Sequence, residues 1–131
     1  MTVTQTILRY DRQSATRMIP LLAVLVGEYL DRTRDIRSFR RQLKRVLGPN
    51  GRLPECQPER GEASELQARL STQLRECRLV VEELEGLACI FDPRRGMVRI
   101  PGESGSLEGG FEWYLGSSSV ISIGITDRAS A

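Results

Sequence analysis

The residues best suited to chemistry are basic side chains clustered between positions 32 and 45. Guanidinium and ammonium groups that recur at helical spacing bind the phosphate oxygens of a nucleic acid or another polyanion. Phe39 is the single aromatic residue among them, so base stacking has little support. The candidate contacts for an anion or for a partner are Arg34, Arg37, Arg41, Lys44 and Arg45.

A plainer interpretation competes with anion binding, and the sequence favours it. A surface helix exposes charged residues to water, and acidic neighbours neutralise part of its charge. Asp31 and Asp35 lie within helical reach of the basic run, and acidic residues open the next predicted helix. We therefore expect a solvated face paired with those acids, and we keep polyanion or nucleic-acid binding as the alternative.

No residue pattern predicts an enzyme. The chain contains no histidine, which removes the usual general base and the commonest metal ligand. Glu82, Glu83 and Glu85 carry ligands suited to a hard cation, but di-metal helical bundles use Glu-x-x-His pairs, and we interpret the three as ordinary surface residues. We predict no catalytic residues, no metal site and no cofactor.

The three cysteines indicate reduced thiols rather than a disulfide framework. Cys56, Cys77 and Cys89 form no Cys-x-x-Cys pair, and their number is odd. We expect Cys77 and Cys89 to be small core residues and Cys56, in a loop, to be the most reactive thiol. Reduced thiols predict a cytoplasmic protein.

The longest apolar run, residues 18–27, predicts a buried helix segment. Its ten residues are too few to span a bilayer. Charged residues follow it directly, with no cleavage site of the kind that ends a signal peptide. We therefore expect no membrane contact.

Apolar periodicity predicts the helices that would position these residues. Steps of three and four over residues 11–47 predict a first helix, with Asp11 as its N-cap and a kink near Pro20. Residues 48–61 hold three prolines and three glycines, which predicts a loop. The helical period returns over residues 62–85 and predicts a second helix.

After residue 86 the pattern changes to short apolar runs separated by Gly, Pro and Ser. These predict three to four antiparallel strands within residues 87–125, with Trp113 in the core of the sheet. The stretch 102–110 lacks the Gly-Lys-Ser/Thr ending of a phosphate-binding loop, and we interpret it as a flexible connection. Residues 1–131 are thus predicted to form a single α+β domain, a long antiparallel, coiled-coil-like two-helix hairpin followed by a small antiparallel sheet.

The charge distribution predicts the orientation of the hairpin. Residues 1–52 contain eleven Lys and Arg against four Asp and Glu, a formal charge of +7. Residues 53–131 contain eight against thirteen, a charge of −5. The first helix starts with cations and the second ends with anions, and both charges are unfavourable for the helix macrodipole at those ends. Antiparallel pairing places the two ends side by side, so each supplies counterions to the other. Residues 21–26 are apolar around most of the first helix, so either the sheet or a second subunit must cover its other side, and we expect self-association.

Two short motifs lie in the runs GLACIFDPRRGMVRIPGE and FEWYLG. They resemble motifs of the bacterial family named domain of unknown function 2203. The first family motif is Gly-hydrophobic-Val-Asp-Phe-Pro, and the residues that match it are Gly96, Met97, Val98, Ile100 and Pro101. Arg99 stands where the family has aspartate.

The second family motif, Cys-Trp-x-x-Gly-Glu, is matched at Trp113 and Gly116. Glu112 replaces its cysteine and Ser117 its glutamate, and neither residue of the family's Trp-His pair is present near residues 123–124. The resemblance implies a short helical hairpin with a C-terminal sheet and no established function. It also implies that any chemistry of the family's acidic and histidine residues is lost here.

These observations predict a non-enzymatic protein-interaction or scaffold module that acts through its helical surfaces. Binding of a polyanion or nucleic acid through the Arg-rich end of the first helix is the alternative, and an enzyme of unknown type comes third. The expected partners are a second copy of the chain, in a homo-oligomer, and an unidentified protein.

Overall fold

The computed structural model describes residues 9–48, 51–52, 55, 57–105 and 107–124. Helices precede an antiparallel sheet, which confirms the predicted α+β class and the helical hairpin. The elements are α1 (Arg12–Arg17), α2 (Ile19–Val46), α3 (Gln57–Gly86), β1 (Ile90–Asp92), β2 (Met97–Ile100), β3 (Phe111–Tyr114) and β4 (Ile121–Ser122). The end of the predicted strand region, at residue 125, lies outside the described residues.

The chain divides into two compact units. The sheet unit contains the described residues up to Gly27 and those from Val81 onward, and the helical unit contains residues 28–80. Helices α2 and α3 each contribute a segment to both units. The prediction of one domain over residues 1–131 stays a prediction.

The first helix of the sequence pattern is divided into two helices. Asp11 caps α1 by accepting a hydrogen bond from the Ser14 backbone, and the Ser14 hydroxyl accepts one from the Asp11 backbone. Met18 separates α1 from α2. Pro20 occupies the first turn of α2, where backbone N–H groups have no acceptor within the helix, so the N–H that proline lacks costs no helical hydrogen bond. The interruption thus falls two residues before the proline.

Contacts within the helical unit show that its two helices run antiparallel. Arg32 of α2 donates to Gln73 of α3 at 2.9 Å, whereas Phe39, further along α2, lines a hollow with Ala68, which is earlier in α3. Residue numbers therefore rise along one helix as they fall along the other. Among the described residues, no helix has both the length and the apolar character needed to cross a membrane.

Helix α3 begins five residues earlier than the sequence pattern indicates. Gln57–Gly61 is helical, although Pro58 and Gly61 mark it as part of the predicted 48–61 loop. Proline is tolerated in the first turn of a helix. The negative charge of Glu59 in that turn interacts favourably with the positive end of the helix macrodipole. Gly61 lies inside the helix, where glycine lowers helix stability by about 1 kcal/mol relative to alanine.

The end of α3 depends on Ala88 rather than on a glycine. Gly86 is the last helical residue, but Ala88 adopts the left-handed backbone conformation, with φ +63. The Cys89 amide donates back to the Leu84 carbonyl at 2.9 Å, which closes the helix end. An alanine therefore occupies a conformation that glycine adopts with less strain.

The sheet has the order β1-β2-β3-β4, and every neighbouring pair is antiparallel. One face is packed: Val98 and Trp113 are cross-strand partners, and both are buried. Between β2 and β3, the backbone approaches itself closely. A Cβ at Gly110 would overlap the Ile100 carbonyl oxygen, and one at Gly102 would lie 2.5 Å from the Gly109 carbonyl oxygen, so both positions require glycine.

Candidate anion-binding surface

The five predicted contact residues all lie on α2, and all five side chains are exposed. At 3.6 residues per turn they fall within an arc of about 100° around the helix axis. We call this surface the basic stripe; its members are Arg34, Arg37, Arg41, Lys44 and Arg45. The helical spacing therefore brings the candidate residues together along one side of the helix.

The basic stripe lies on the opposite side of α2 from its packed face. Ile36 is buried, and it lies about half a turn around the helix from Arg41 and Arg45. Arg32, near the packed side, reaches Gln73 of α3. Within the helical unit the stripe consequently faces away from the partner helix.

Ion pairs leave most of the stripe without a counterion among the described residues. Arg34 approaches Asp31 at 3.9 Å, and both side chains are more than 70% exposed, which makes the pair weak. Arg37, Arg41, Lys44 and Arg45 make no ion pair with any described residue. The positive charge is therefore not cancelled by direct contacts within this part of the chain.

The expected pairing of this face with acids of α3 is wrong for the described residues. Glu65, near the start of α3, binds Arg69 at 2.6 Å, one turn further along its own helix. Arg32 likewise binds Glu28 at 2.9 Å within α2. Because the stripe faces away from α3, no acid of α3 forms an ion pair with it among the described residues, and Glu65 pairs with an arginine of its own helix instead.

Arg40 is a basic residue near the stripe that the candidate set omits. Together with Lys44, it lines an open hollow of about 290 Å³ at the end of α2. Leu43 and Leu47 form apolar walls of the same hollow. The sequence could have indicated that Arg40 is unusual, because it interrupts the apolar repeat of the helix.

The acidic residues at the end of α3 are exposed. They are Glu82, Glu83 and Glu85, and the last turn of α3 contains no basic residue. Over the described ranges, no group of three or more His, Cys, Asp or Glu side chains is arranged to hold a metal ion.

The two described cysteines are free, buried thiols, as predicted for core residues. Burial raises the pKa of the Cys77 thiol, and it raises the pKa of Cys89 to about 12. A thiol with so high a pKa is almost wholly protonated at neutral pH and is a poor nucleophile. Cys56, expected to be the most reactive thiol, lies outside the described residues.

Trp113 is a core residue, as predicted. Its side chain is 1% exposed, and its indole N–H donates to the Ser117 carbonyl at 2.9 Å. A fully packed indole with its only donor satisfied leaves no face for stacking on a ligand.

Two N-terminal side chains have roles that the sequence pattern misses. Arg12, grouped there with the cations at the start of the first helix, donates to the Val120 carbonyl at 3.0 Å and to the Ser122 hydroxyl. Its guanidinium also lies 5.8 Å from the centroid of the Phe111 ring. The Tyr10 hydroxyl donates to the Leu87 carbonyl at 3.1 Å, and burial raises the pKa of Tyr10. No local spacing signals these contacts.

Comparisons of the chain with protein-family models, with curated proteins and with solved structures found no match. The resemblance to domain of unknown function 2203 therefore stays a prediction drawn from its motifs. Two positions at which the chain departs from those motifs, Arg99 and Glu112, are cross-strand partners. Their side chains form an ion pair at 3.7 Å.

Proposed function

We propose that this chain is a non-enzymatic binding module that contacts the phosphate backbone of a nucleic acid through the basic stripe. One observation carries the proposal: four adjacent cations of the stripe, Arg37, Arg41, Lys44 and Arg45, have no counterion among the described residues. An external polyanion supplies the missing negative charge, and its release of bound counterions drives the association.

The dimensions of the stripe suit a phosphate row. From Arg34 to Arg45 the helix rises about 16 Å, at 1.5 Å per residue. Duplex DNA carries one negative charge per about 3.4 Å of axis on each strand, so about five phosphates of one strand lie within the length of the stripe. Four of the five are arginines, whose planar fork binds phosphate in a bidentate manner.

The composition of the stripe favours binding without sequence readout. None of its five members is aromatic, and Phe39 lies beside a hollow shared with α3 rather than in the stripe. Contacts to phosphate position a protein on nucleic acid but do not distinguish bases. We therefore expect similar affinity for duplexes of unrelated sequence.

The decisive measurement is fluorescence anisotropy of a labelled short duplex titrated with the full chain. Five phosphate contacts predict that the logarithm of the association constant falls with the logarithm of salt concentration at a slope of about −4 to −5. We expect the affinity to drop by at least about 100-fold between about 50 and about 200 mM salt. Absence of binding at the low-salt end would contradict the proposal.

A pair of charge-matched variants separates the stripe from net charge. The variant Arg37→Glu with Arg41→Glu reverses two stripe residues, and Arg75→Glu with Arg78→Glu reverses two exposed arginines of α3. Both change the net charge by the same amount. We expect the first to weaken binding by more than about tenfold and the second to change it by less than about threefold, because only the first removes phosphate contacts. Equal losses would mean that the stripe is not the contact surface.

Competition experiments distinguish nucleic acid from other anionic partners. Poly-glutamate stands for an acidic protein surface, and vesicles with an anionic lipid stand for a membrane surface. Displacement of the duplex by another nucleic acid, but not by poly-glutamate at equal charge, supports the proposal. Tighter binding to poly-glutamate than to the duplex contradicts it and favours the predicted protein partner.

We also propose that the protein acts in the cytoplasm. The observation that supports this location is that Cys77 and Cys89 are both unbridged. Mass spectrometry of native extracts after rapid alkylation tests it: both thiols should be recovered reduced, and a bridged form would contradict the proposal.

A further inference from the structure

We propose that the outer face of the sheet binds the same face of a second copy of this chain. The proposal rests on one cross-strand row, in which Ile90 pairs with Arg99, Arg99 with Glu112, and Glu112 with Ile121. We call it the outer row. It crosses all four strands and presents, in order, an apolar, a basic, an acidic and an apolar side chain.

The outer row is accessible, whereas the neighbouring row on the other face is packed. Ile90 and Ile121 are 53% and 55% exposed, and the side chains of Arg99 and Glu112 are 45% and 22% exposed. Val98 and Trp113, one residue away on the opposite face, are buried. An antiparallel sheet can leave one face in water, but that face is normally polar. Two half-exposed isoleucines at the two edge strands depart from this pattern.

The order of side chains in the outer row is self-complementary. A two-fold axis parallel to the strands, between the two sheets, places β2 of one copy over β3 of the other and β1 over β4. Arg99 of each copy then faces the partner's Glu112, and Ile90 of each copy faces the partner's Ile121. Every charge meets its opposite and every isoleucine meets an isoleucine, which is the requirement for an isologous interface.

Other arrangements lack this match. A two-fold axis perpendicular to the strands, in the plane between the sheets, stacks each strand on its own copy and opposes Arg99 to the partner's Arg99. Like charges in contact destabilise such an interface. Stacked sheets keep their strands within about 30° of each other, so the central charged pairs, nearest the axis, stay aligned despite the sheet twist.

The ion pair within each chain holds Arg99 and Glu112 side by side at the centre of the proposed interface. Glu112 already holds Arg99 at 3.7 Å and accepts a hydrogen bond from the Tyr114 hydroxyl at 3.0 Å. The dimer extends the pair into a four-member cycle of alternating charges. Met97, two residues before Arg99 and on the same face, is buried, so the exposed part of this face does not extend over Met97. Interfaces smaller than about 1,200 Å² are weak, and we expect dimerisation that depends on concentration in the micromolar range or above.

Complementary single reversals test the interface without relying on the intrachain pair. The Arg99→Glu variant has two acidic side chains in the centre of the outer row, and the Glu112→Arg variant has two basic ones. Sedimentation velocity over a concentration series should show each variant alone as a monomer, because each homodimer opposes like charges. In an equimolar mixture both central contacts become attractive again, so the mixture should form dimers while the separate samples do not.

Three controls make every outcome informative. The double variant Arg99→Glu with Glu112→Arg exchanges the two charges and should dimerise like the unmodified chain. Ile121→Ser should weaken the dimer by about tenfold or more while retaining the fold, since Ile121 is half-exposed. Trp113 fluorescence and circular dichroism report whether each variant is folded. Dimers in both single reversals, or a mixture that stays monomeric while both variants are folded, overturn the proposal.

Discussion

The two units of the chain differ in how much they bury. All of the largest fully buried side chains among the described residues belong to the sheet unit: Trp113, Leu22, Leu84, Met97, Ile100, Val26, Val98 and Cys89. The buried residues of the helical unit are smaller in number and mostly in size: Ile36, Ala63, Leu66, Cys77 and Val80. A two-helix layer has only one seam, and most of each helix faces water.

The polar contacts of the two units differ in the same sense. In the sheet unit, Tyr10 and Arg12 join residues more than seventy positions apart along the chain. In the helical unit the ion pairs among the described residues join side chains three or four positions apart, and the Arg32–Gln73 hydrogen bond is a longer-range contact. Fully buried side chains and long-range polar contacts are therefore concentrated in the sheet unit, and local ion pairs in the helical unit.

The largest expected contrast between the units is in thiol reactivity. Burial raises the pKa of Cys89, in the sheet unit, to about 12, which lowers its thiolate fraction about a thousandfold relative to an ordinary thiol. We expect Cys89 to be alkylated far more slowly than Cys77, and its rate to rise about tenfold per pH unit. Alkylation of a Cys56→Ser variant, followed by mass spectrometry, measures both rates. Equal rates would contradict the contrast.

The raised pKa of Cys89 also predicts a pH dependence of stability. The unfolded thiol loses its proton at a lower pH than the folded one, so unfolding releases a proton at high pH. The contribution of Cys89 is complete below about pH 9 and is lost as the pH rises towards about 12. Denaturation of a Cys89→Ala variant should show a smaller loss of stability over this window than the unmodified chain.

The next contrast concerns core truncation. Trp113→Ala should lower the free energy of unfolding by about 3–5 kcal/mol, because it removes a fully buried indole. The matched change in the helical unit, Ile36→Ala, should cost about 2 kcal/mol, since it removes fewer atoms. Urea denaturation followed by circular dichroism measures both. A larger cost at Ile36 would reverse the comparison.

A smaller contrast separates a bound arginine from a free one. Arg12→Ala should cost about 1–2 kcal/mol, because it removes a charged donor to the Val120 carbonyl and the contact with the Phe111 ring. Arg45→Ala should change stability by less than about 0.5 kcal/mol, since no described residue pairs with it. The same denaturation experiment decides between them. Similar costs would mean that Arg45 has a structural partner.

The smallest expected effect is a gain at the end of α3. Ala88→Gly should raise the free energy of unfolding by about 0.5–1 kcal/mol, because Ala88 has φ +63 and glycine adopts this conformation without a Cβ clash. Gly86→Ala serves as the comparison, since Gly86 is helical and a Cβ there meets nothing within 4 Å. A loss of stability in Ala88→Gly would show that the alanine side chain makes a compensating contact.

Sequence reasoning was most successful where structure follows from local pattern. The Asp11 cap, the division between helices and strands, and the core position of Trp113 all follow from periodicity or from single-residue preferences. It was less accurate at the start of α3, where Pro58 and Gly61 are compatible with the first turns of a helix as well as with a loop. Composition alone does not separate these two cases.

The charge argument predicted the correct topology with the wrong contacts. Antiparallel helices are present, but no ion pair joins α2 to α3 among the described residues. Total charge on a segment says which segments attract each other. The position of each charge around the helix decides which charges meet, and the basic stripe faces away from α3.

The sequence by itself determined the class of fold, the helix that carries the five basic residues, and the absence of histidine chemistry. Only the tertiary structure decided that these cations lack counterions among the described residues and that Arg99 faces Glu112 between two exposed isoleucines. The physical reason is that periodicity is a property of neighbours along the chain. Pairing and exposure depend on residues that only the folded chain brings together.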